Sequence, residues 1–350
     1  MRIAQVAPLY ERVPPLYYGG TERVVSYLTE ELVRQGHDVT LFASGDSVTG
    51  ASLLAPCARS LRLDENCSDP FAYHILLLEH VFQRAHLFDI VHFHIDYLHF
   101  PLSRRHEVAH LTTLHGRLDL PELASLYREF SEMPVVSISR AQRVPLPWIN
   151  WQGTVHHGIP LDLYPLRRGQ GKYLAFLGRI SPEKRLDTAI EIAKSFGMKL
   201  KIAAKVDRVD REYMQTAIQP LLDDPRVEFI GEIGEHEKGD FLGDAYALLF
   251  PIDWCEPFGL VLIESMACGT PVIAYPRGSV PEVVDHGVTG FIARDAREAV
   301  SALKRVAHFD RERCRKVFEK RFSVKRMADD YVRLYEASRR LRQNGASQIG

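Results

Sequence analysis

The chain has 350 residues, of which 46% are hydrophobic and 25% charged, and its formal net charge is −1. This length is too great for one ordinary hydrophobic core and suits two domains. The balanced charge gives no general argument for nucleic acid as a partner. No apolar run of about 18 residues or more is present that could span a membrane.

The five cysteines show no Cys-x-x-Cys spacing, which favours reduced thiols in a cytosol over disulfides or a zinc site. Cys255 and Cys268 are expected to be small buried hydrophobic residues. A strand pattern begins at residue 2, so we expect no signal peptide and a cytoplasmic protein.

Strand and helix patterns alternate along the first half of the chain. A helix over residues 21–35 has apolar positions at a 3.6-residue period, with Thr21 as its predicted cap and Gly36 at its end. Further helices are predicted at 71–88 and near 121–130. Strands are predicted at 3–7, 38–43, 90–95, 110–114, 135–139 and 153–157.

Residues 161–172 interrupt the alternation with prolines, arginines and glycines, and we interpret them as an interdomain linker. The pattern then restarts, with strands predicted at 173–177, 199–204, 227–230, 247–250, 272–275 and 290–293. Helices are predicted at 186–195, 212–222, 236–244, 260–268 and 296–306, followed by a basic helical segment at 311–343.

This alternation predicts an α/β protein of two doubly wound domains, each with a mainly parallel sheet covered on both faces. The domains are expected at 1–165 and 170–320. Ligands of such sheets bind beyond the carboxyl ends of the strands, and two such edges facing each other would form a cleft.

The most informative segment contains two carboxylates, Glu256 and Glu264, eight residues apart. Glu256 lies in a Pro/Gly turn after an apolar strand, and Glu264 lies inside the helix that follows. A strand, a glycine turn and a helix start bring free backbone N–H groups and the positive end of a helix dipole together. The pattern favours a ligand with both hydroxyls and phosphates, such as a sugar nucleotide.

The second half of the chain resembles glycosyltransferase family 4, a group of retaining enzymes with the GT-B fold. The resemblance rests on GRISPEK at 178–184, the Glu-x7-Glu segment from Glu256, ACGTPVIA at 267–274, GSVPEVV at 278–284 and GVTGF at 287–291. The first half matches more loosely, through GGTE at 19–22, LHG at 114–116, SIS at 137–139 and HHGIPLD at 156–162. The fold this implies is GT-B, two Rossmann-like domains facing across a cleft. A C-terminal helix, about 323–345, returns to the N-terminal domain.

The resemblance also implies roles for individual residues. Arg179 and Lys184 would neutralise the diphosphate leaving group, Glu256 would bind the donor sugar and Glu264 the ribose. His115 would lie beside the donor sugar, where it could stabilise developing positive charge or hold a hydroxyl. The other donor-binding positions implied are Gly19, Gly20, Glu232, Ile233, Phe258, Gly259, Leu260 and Val261.

The chain departs from the family pattern at two places. Residues 203–207 replace a glycine-rich turn, and Lys205 there could take over a phosphate contact. Pro160, Leu161 and Asp162 stand where relatives more often have Asn-Gly-Ile-Asp. The first-strand loop also lacks the Lys-x-Gly-Gly-Leu signature of starch and glycogen synthases, which argues against a polyglucan synthase.

Histidines are plentiful between residues 74 and 115. His92 and His94 alternate with apolar residues, so both side chains point to one face of a strand. Their spacing could serve a zinc ion, but no third ligand is arranged with them, so we expect core or cleft histidines and no metal.

These features together predict a retaining, metal-independent glycosyltransferase. It would move a hexose from a nucleoside diphosphate sugar, UDP- or GDP-linked, to a hydroxyl acceptor: a small molecule, a saccharide or a lipid-linked glycan. The nucleotide sugar is a co-substrate, and no cofactor and no nucleic acid partner are expected. The basic residues of 311–342 leave peripheral contact with the inner face of a membrane open.

Two alternatives remain open. One is a GT-B-type sugar-nucleotide epimerase, and the other is a catalytically silent sugar-nucleotide-binding protein. A Rossmann dehydrogenase is disfavoured because Gly-x-Gly-x-x-Gly does not follow the first strand.

Overall fold

The computed structural model describes residues 1–62 and 64–346. The chain forms two compact units. The N-terminal unit comprises Met1–Gly158 together with the chain from Val324, and the C-terminal unit comprises Ile159–Ser323. The strands are β1 Arg2–Val6, β2 Asp38–Phe42, β3 Ser52–Leu54, β4 Ile90–Phe93, β5 His110–Thr113, β6 Val135–Ser137, β7 Trp151–Thr154, β8 Tyr173–Arg179, β9 Leu200–Lys205, β10 Val227–Gly231, β11 Ala245–Phe250, β12 Val272–Ala274 and β13 Gly290–Ile292. The α-helices are α1 Gly20–Arg34, α2 Pro70–Arg84, α3 Phe100–Ser103, α4 Pro121–Glu129, α5 Leu186–Phe196, α6 Arg211–Tyr213, α7 Glu235–Gly243, α8 Leu260–Ala267, α9 Val280–Val283, α10 Ala296–Arg305, α11 Arg311–Arg321 and α12 Val324–Ala346.

The strands described in the N-terminal unit form one parallel sheet of seven, in the order β3-β2-β1-β4-β5-β6-β7. Strand numbers increase outward in both directions from β1 and β4, so the chain changes its direction of winding between these two strands. They pair with Ile3 opposite Ile90. Both central strands are buried along almost their whole length, as a parallel sheet with both faces covered requires. The carboxyl ends of these two strands are therefore the expected ligand-binding edge of this unit.

The strands described in the C-terminal unit repeat this arrangement, in the order β10-β9-β8-β11-β12-β13, again all parallel. β11 is buried at every position, so its sequence is a continuous apolar run without alternation. Arg179 and Lys205 end the neighbouring strands β8 and β9 opposite each other. The structure therefore confirms the predicted α/β class with two Rossmann-like sheets.

The predicted linker at 161–172 does not separate the two units. The chain passes between them at Gly158–Ile159 and returns at Ser323–Val324. Tyr164 is buried, and the N–H groups of Arg167 and Lys172 donate to the carbonyls of Cys268 and Asp244. Because these backbone groups pair inside the C-terminal unit, residues 161–172 belong to that unit.

Three local predictions are wrong. Thr21 does not cap α1, because the helix begins one residue earlier and Gly19 is its N-cap. The predicted helix at 212–222 is irregular, with a π-helical turn at Met214–Ile218 and a 3-10 turn at Gln219–Leu221. Cys255 is exposed, whereas Cys268 is buried as expected.

The basic segment predicted as one helix from 311 to 343 contains two. α11 ends at Arg321 in the C-terminal unit, and α12 begins at Val324 in the N-terminal unit. Within the N-terminal unit, Tyr331 and Tyr335 of α12 are fully buried, so this helix covers part of the sheet. Within the described part of the chain, no helix is both long and apolar enough to cross a membrane.

Candidate active site

Glu256 lies in the turn between β11 and α8, and its position is set by the loop that contains Gly278. A Cβ atom on Gly278 would lie 2.3 Å from the Glu256 carbonyl oxygen, and its backbone has a positive φ of 56°. The Ser279 N–H donates to that carbonyl at 2.9 Å, and Ser279 Oγ donates to the Phe258 carbonyl at 2.8 Å. The GSVPEVV motif therefore supports the turn that carries Glu256.

The Glu256 carboxylate pairs with Lys184, which comes from the 3-10 turn after β8. Lys184 Nζ lies 2.5 Å from Glu256 Oε2, and Trp254 Nε1 donates to the same oxygen at 3.1 Å. The ammonium group also lies over the Trp254 ring, 4.7 Å from its centroid. Glu256 is 8% exposed, so burial strengthens this pair. The structure thus brings together Lys184 and Glu256, which are predicted to bind the diphosphate and the donor sugar.

Arg179 and Lys205 form a second basic centre at the ends of β8 and β9. Both are paired with acidic side chains that the sequence did not single out. Lys205 Nζ lies 2.7 Å from Asp207 Oδ1. Arg179 Nη2 pairs with Glu183, and the Arg179 side chain lies 3.6 Å from Asp207 and 3.7 Å from Asp210.

The start of α8 offers backbone donors. Gly259 is its N-cap with a φ of 81°, a conformation that glycine adopts without steric cost. The N–H groups of Leu260 and Val261 begin the helix and have no acceptor inside it. Both residues are only partly buried, whereas Phe258 is buried. This helix start can hold an anionic oxygen.

Glu264 lies one turn further along α8 and is 3% exposed. Its carboxylate is paired with Lys238 of α7, whose Nζ lies 2.9 Å from Glu264 Oε1 and 3.7 Å from Glu235 Oε2. Burial raises the pKa of Glu235 to about 7, although Lys238 opposes the rise. A buried carboxylate needs such a partner.

Glu232 and Ile233 follow β10, as predicted, and differ in exposure. Glu232 is exposed and Ile233 is buried. Gly234, the next residue, is the N-cap of α7, and its N–H donates to Glu237 Oε2 at 2.8 Å. The pair thus leads directly into the helix that carries Lys238.

In the N-terminal unit, Gly19 and Gly20 form the start of α1. Gly19 is buried with a φ of 152°, and a Cβ atom there would lie 2.8 Å from Pro15 Cβ. Gly20 is exposed as the first residue of the helix. The loop before it is held by Arg23, whose Nη2 donates to the Tyr17 carbonyl at 2.7 Å.

His115 follows β5 in the N-terminal unit and is partly exposed. Its Nε2 lies 2.9 Å from His94 Nδ1, and its ring stacks on that of His157 with centroids 5.4 Å apart. Burial lowers the pKa of His115 to about 3, so the imidazole is neutral at physiological pH. It can therefore hold a hydroxyl or offer a lone pair, but it carries no charge.

Asp96 follows β4, in the same unit, and was not identified from the sequence. Its φ is 50°, a strained conformation for a residue with a side chain. Burial raises the pKa of Asp96 to about 6, and the His115 backbone N–H opposes the rise. His-Ile-Asp at the end of a buried strand is the sequence signal that could have identified it.

His92 on β4 and His94 just after this strand are buried side by side, with ring centroids 4.0 Å apart. Each has both ring nitrogens within hydrogen-bonding distance of protein side chains. Among residues 1–62 and 64–346, no group of three or more His, Cys, Asp or Glu side chains is arranged to hold a metal ion. Both histidines lie in the protein core.

Comparisons with known families match both halves of the chain. Residues 165–320 match the model of glycosyl transferases group 1, and residues 18–153 match that of glycosyltransferase family 4. Together with the two parallel sheets, these matches define the class of protein as a GT-B glycosyltransferase. The chain belongs to the group 1 glycosyltransferases and resembles family 4.

Curated relatives are similar at low identity. The glycogen synthase of Mycobacterium tuberculosis is 26% identical over 363 residues, covering 87% of this chain and 86% of that enzyme. An uncharacterized 41.2 kDa protein in the cps region of Klebsiella pneumoniae is 27% identical over 173 residues, covering 47% of this chain and 46% of that protein. The chain thus matches about half the length of the Klebsiella relative.

Two crystal structures show the same fold. AviGT4, a glycosyltransferase involved in avilamycin A biosynthesis, has a TM-score of 0.70 at 24% identity, with 98% of both chains covered. HepE of Anabaena, in complex with UDP-glucose, has a TM-score of 0.73 at 17% identity, with 96% of this chain and 100% of that chain covered.

Proposed function

We propose that this chain is a retaining glycosyltransferase that moves a hexose from a nucleoside diphosphate sugar to a hydroxyl acceptor. The observation that carries the proposal is the Lys184–Glu256 pair, which joins the 3-10 turn after β8 to the turn leading into α8. In this pair a cation suited to a phosphate is hydrogen-bonded to a carboxylate suited to sugar hydroxyls. HepE of Anabaena, crystallised with UDP and with UDP-glucose, supports a nucleotide-sugar donor, and we favour UDP over GDP.

In this proposal, binding of the donor exchanges the partners of the basic residues. Phosphate oxygens take the place of carboxylates beside Lys184 and Arg179, and the N–H groups of Leu260 and Val261 add further donors. Once released from Lys184, Glu256 accepts bonds from the sugar hydroxyls. Glu264, held in place by Lys238, accepts bonds from the ribose hydroxyls.

The chemical step needs stabilisation of charge at the leaving diphosphate. As the bond from the anomeric carbon to the phosphate oxygen breaks, negative charge grows on the diphosphate, where Arg179 and Lys184 lie. The acceptor hydroxyl then attacks from the same face, and its proton passes to the leaving phosphate oxygen. No carboxylate nucleophile and no metal ion are needed for this sequence.

The acceptor is a molecule with a free hydroxyl group. The loop at Tyr17–Gly19 lacks the signature of polyglucan synthases, so we do not propose glycogen synthesis despite the similar mycobacterial enzyme. A small molecule, a saccharide and a lipid-linked glycan all satisfy this requirement.

The first experiment is a thermal-shift screen with UDP, GDP, ADP and their sugar conjugates. A ligand that binds only the folded protein raises its melting temperature. The donor selected in this way is then incubated with and without acceptor candidates, and NMR reports the anomeric configuration of the product. Retention is expected. Inversion would contradict the mechanism, conversion of donor alone to another sugar nucleotide would indicate an epimerase, and binding without turnover would indicate a silent binding protein.

A further inference from the structure

A buried network of polar side chains underlies His115 in the N-terminal unit. It joins β1, β4, β5 and α12, and its members are almost fully buried. Buried polar groups of this kind must be hydrogen-bonded, since each unpaired one costs about 1–3 kcal/mol. The members are Gln5, His92, His94, Thr113, Tyr331 and Tyr335.

The first branch of the network leads from Gln5 to His115. Gln5 Oε1 lies 2.8 Å from His94 Nε2, and His94 Nδ1 lies 2.9 Å from His115 Nε2. A carboxamide oxygen can only accept a hydrogen bond, so His94 Nε2 carries the proton. Burial holds the pKa of His94 well below its ordinary value, so this histidine is neutral and its Nδ1 is an acceptor. The bond to His115 must then be donated by His115 Nε2.

The second branch leads from the other end of the Gln5 amide and agrees with the first. Gln5 Nε2 donates to the Tyr335 hydroxyl at 3.1 Å. That hydroxyl lies 2.7 Å from His92 Nδ1, and His92 Nε2 lies 2.7 Å from Thr113 Oγ1. Because the buried Tyr335 proton also needs an acceptor, Tyr335 donates to His92 Nδ1. Burial lowers the pKa of His92, so this neutral histidine then donates from Nε2 to Thr113, whose hydroxyl can donate to Tyr331 at 2.9 Å.

The orientation of one amide thus sets the direction of every bond in the network. Rotating the Gln5 amide by 180° would exchange its donor and acceptor and reverse both branches. His94 would then donate from Nδ1 to His115 Nε2, and the proton of His115 would move to Nδ1. The observed orientation leaves Nδ1 of His115 without a proton.

We propose that Gln5 is a positioning residue that sets the tautomer of His115 through His94, so that His115 presents Nδ1 as a hydrogen-bond acceptor for a substrate hydroxyl. The identity of that hydroxyl as part of a glycosyl donor or acceptor rests on the proposed function. The tautomer itself does not depend on that function. Part of the His115 ring is exposed, so a ligand can reach it.

The direct test is NMR of the full chain labelled with ¹⁵N in its histidine rings. Long-range correlations between the carbon-bound ring protons and the ring nitrogens show which nitrogen carries the proton. Spectra of His115→Asn and His94→Asn assign the signals. We expect His115 and His94 both to be protonated at Nε2. A His115 signal protonated at Nδ1 would overturn the proposal.

Variants of Gln5 test its role. Gln5→Met removes both bonds of the amide, so the His115 signal should change from one tautomer to a mixture. Gln5→Glu keeps an acceptor for His94 and should preserve the Nε2–H tautomer, so a mixture of His115 tautomers in that variant would contradict the role of Gln5 even if the methionine variant does not fold. Tyr331→Phe removes a hydroxyl at the far end of the network and is the matched control, with no change expected in His115. A single unchanged tautomer in folded Gln5→Met would contradict the role of Gln5.

Activity provides a second, separable result. If the proposed transferase reaction is established, Gln5→Met should lower kcat about tenfold while Gln5→Glu stays closer to wild type. If no transfer is found but the tautomers are as expected, the proposed function fails and the positioning by Gln5 stands. If transfer is found and His115 carries its proton on Nδ1, the proposed function stands and the positioning by Gln5 fails.

Discussion

Lys184 and Glu256 form an ion pair, with Nζ 2.5 Å from Oε2. Each side chain is thereby held in place by the other, and neither charge is left unpaired in a partly buried pocket. The pairing also implies a competition, because a phosphate bound by Lys184 would take the place of the Glu256 carboxylate. In the proposed function, the two residues then act on different parts of one ligand.

Replacing Glu256 by alanine should reduce turnover by at least about 100-fold, as expected for loss of a group that contacts the reacting sugar. The melting temperature should fall by only a few degrees, since Lys184 keeps its contact with Trp254. Steady-state kinetics and calorimetric scans check this. Asp253→Ala is a matched control, because Asp253 is an exposed acid in the same turn and should keep near wild-type turnover. Equal losses in both variants would mean that the turn matters and the Glu256 carboxylate does not.

Asp207→Asn should tighten nucleoside diphosphate binding. Asp207 lies 2.7 Å from Lys205 and 3.6 Å from Arg179, so it offsets two of the cations expected to hold the diphosphate. Removing its charge should gain roughly 1 kcal/mol, about fivefold in Kd, with the gain shrinking at high salt. Titration calorimetry with UDP measures the change. Asp223→Asn carries the same charge change just before β10, at the opposite end of the sheet from Lys205, and should leave the affinity unchanged. Weaker binding in Asp207→Asn would show that Asp207 supports the site.

Lys238→Met should destabilise the protein by about 3–5 kcal/mol, because it leaves the buried Glu264 carboxylate without its cation. Urea unfolding measures the loss. Lys238→Arg, which keeps the charge, should recover most of the stability. A loss of less than about 1 kcal/mol in the methionine variant would mean that Glu264 finds another partner or takes up a proton.

Stability should also depend on pH through Glu22. Burial raises the pKa of Glu22 from 4.5 to about 7. In that pH interval the folded state binds more protons than the unfolded state, so the free energy of unfolding falls as pH rises. Because the side chain introduced by Glu22→Gln cannot ionise, the free energy of unfolding of this variant should exceed that of wild type by up to about 3 kcal/mol at pH 8. Near pH 4.5 the two proteins should differ little. Chemical unfolding at several pH values tests this, with the exposed Glu122→Gln as control. Parallel curves of unfolding free energy against pH for Glu22→Gln and wild type would contradict the prediction.

The fold could largely be predicted from the sequence because parallel strands buried on both faces are continuous apolar runs. β11 is such a run, and its strand–turn–helix continuation places Glu256 and the start of α8 together. β3 was missed because a three-residue strand with partly exposed side chains has no period to detect. The break between α11 and α12 was missed since both segments are basic and helical, and the change of unit leaves no local signal.

Site residues could be predicted where their place within one motif indicates their role. Residues whose partners come from another segment of the chain could not, because those contacts depend on how the segments pack. Lys238 is on α7 and meets Glu264 only because α7 packs against α8. Asp207 and Asp210 meet Arg179 through the pairing of β8 with β9. The partners of His94 come from β1 and from the loop after β5, which are far apart in the chain.

The separate roles of Glu256 and Glu264 are the central claim, and titration calorimetry with UDP and with its sugar conjugate tests it most directly. Glu264→Ala should weaken the binding of both ligands by a similar factor, because both contain the ribose. Glu256→Ala should weaken the sugar conjugate while UDP binds at least as tightly as to wild type, because Lys184 is freed for the diphosphate. Equal weakening of both ligands by Glu256→Ala, or undiminished UDP binding in Glu264→Ala, would contradict the account.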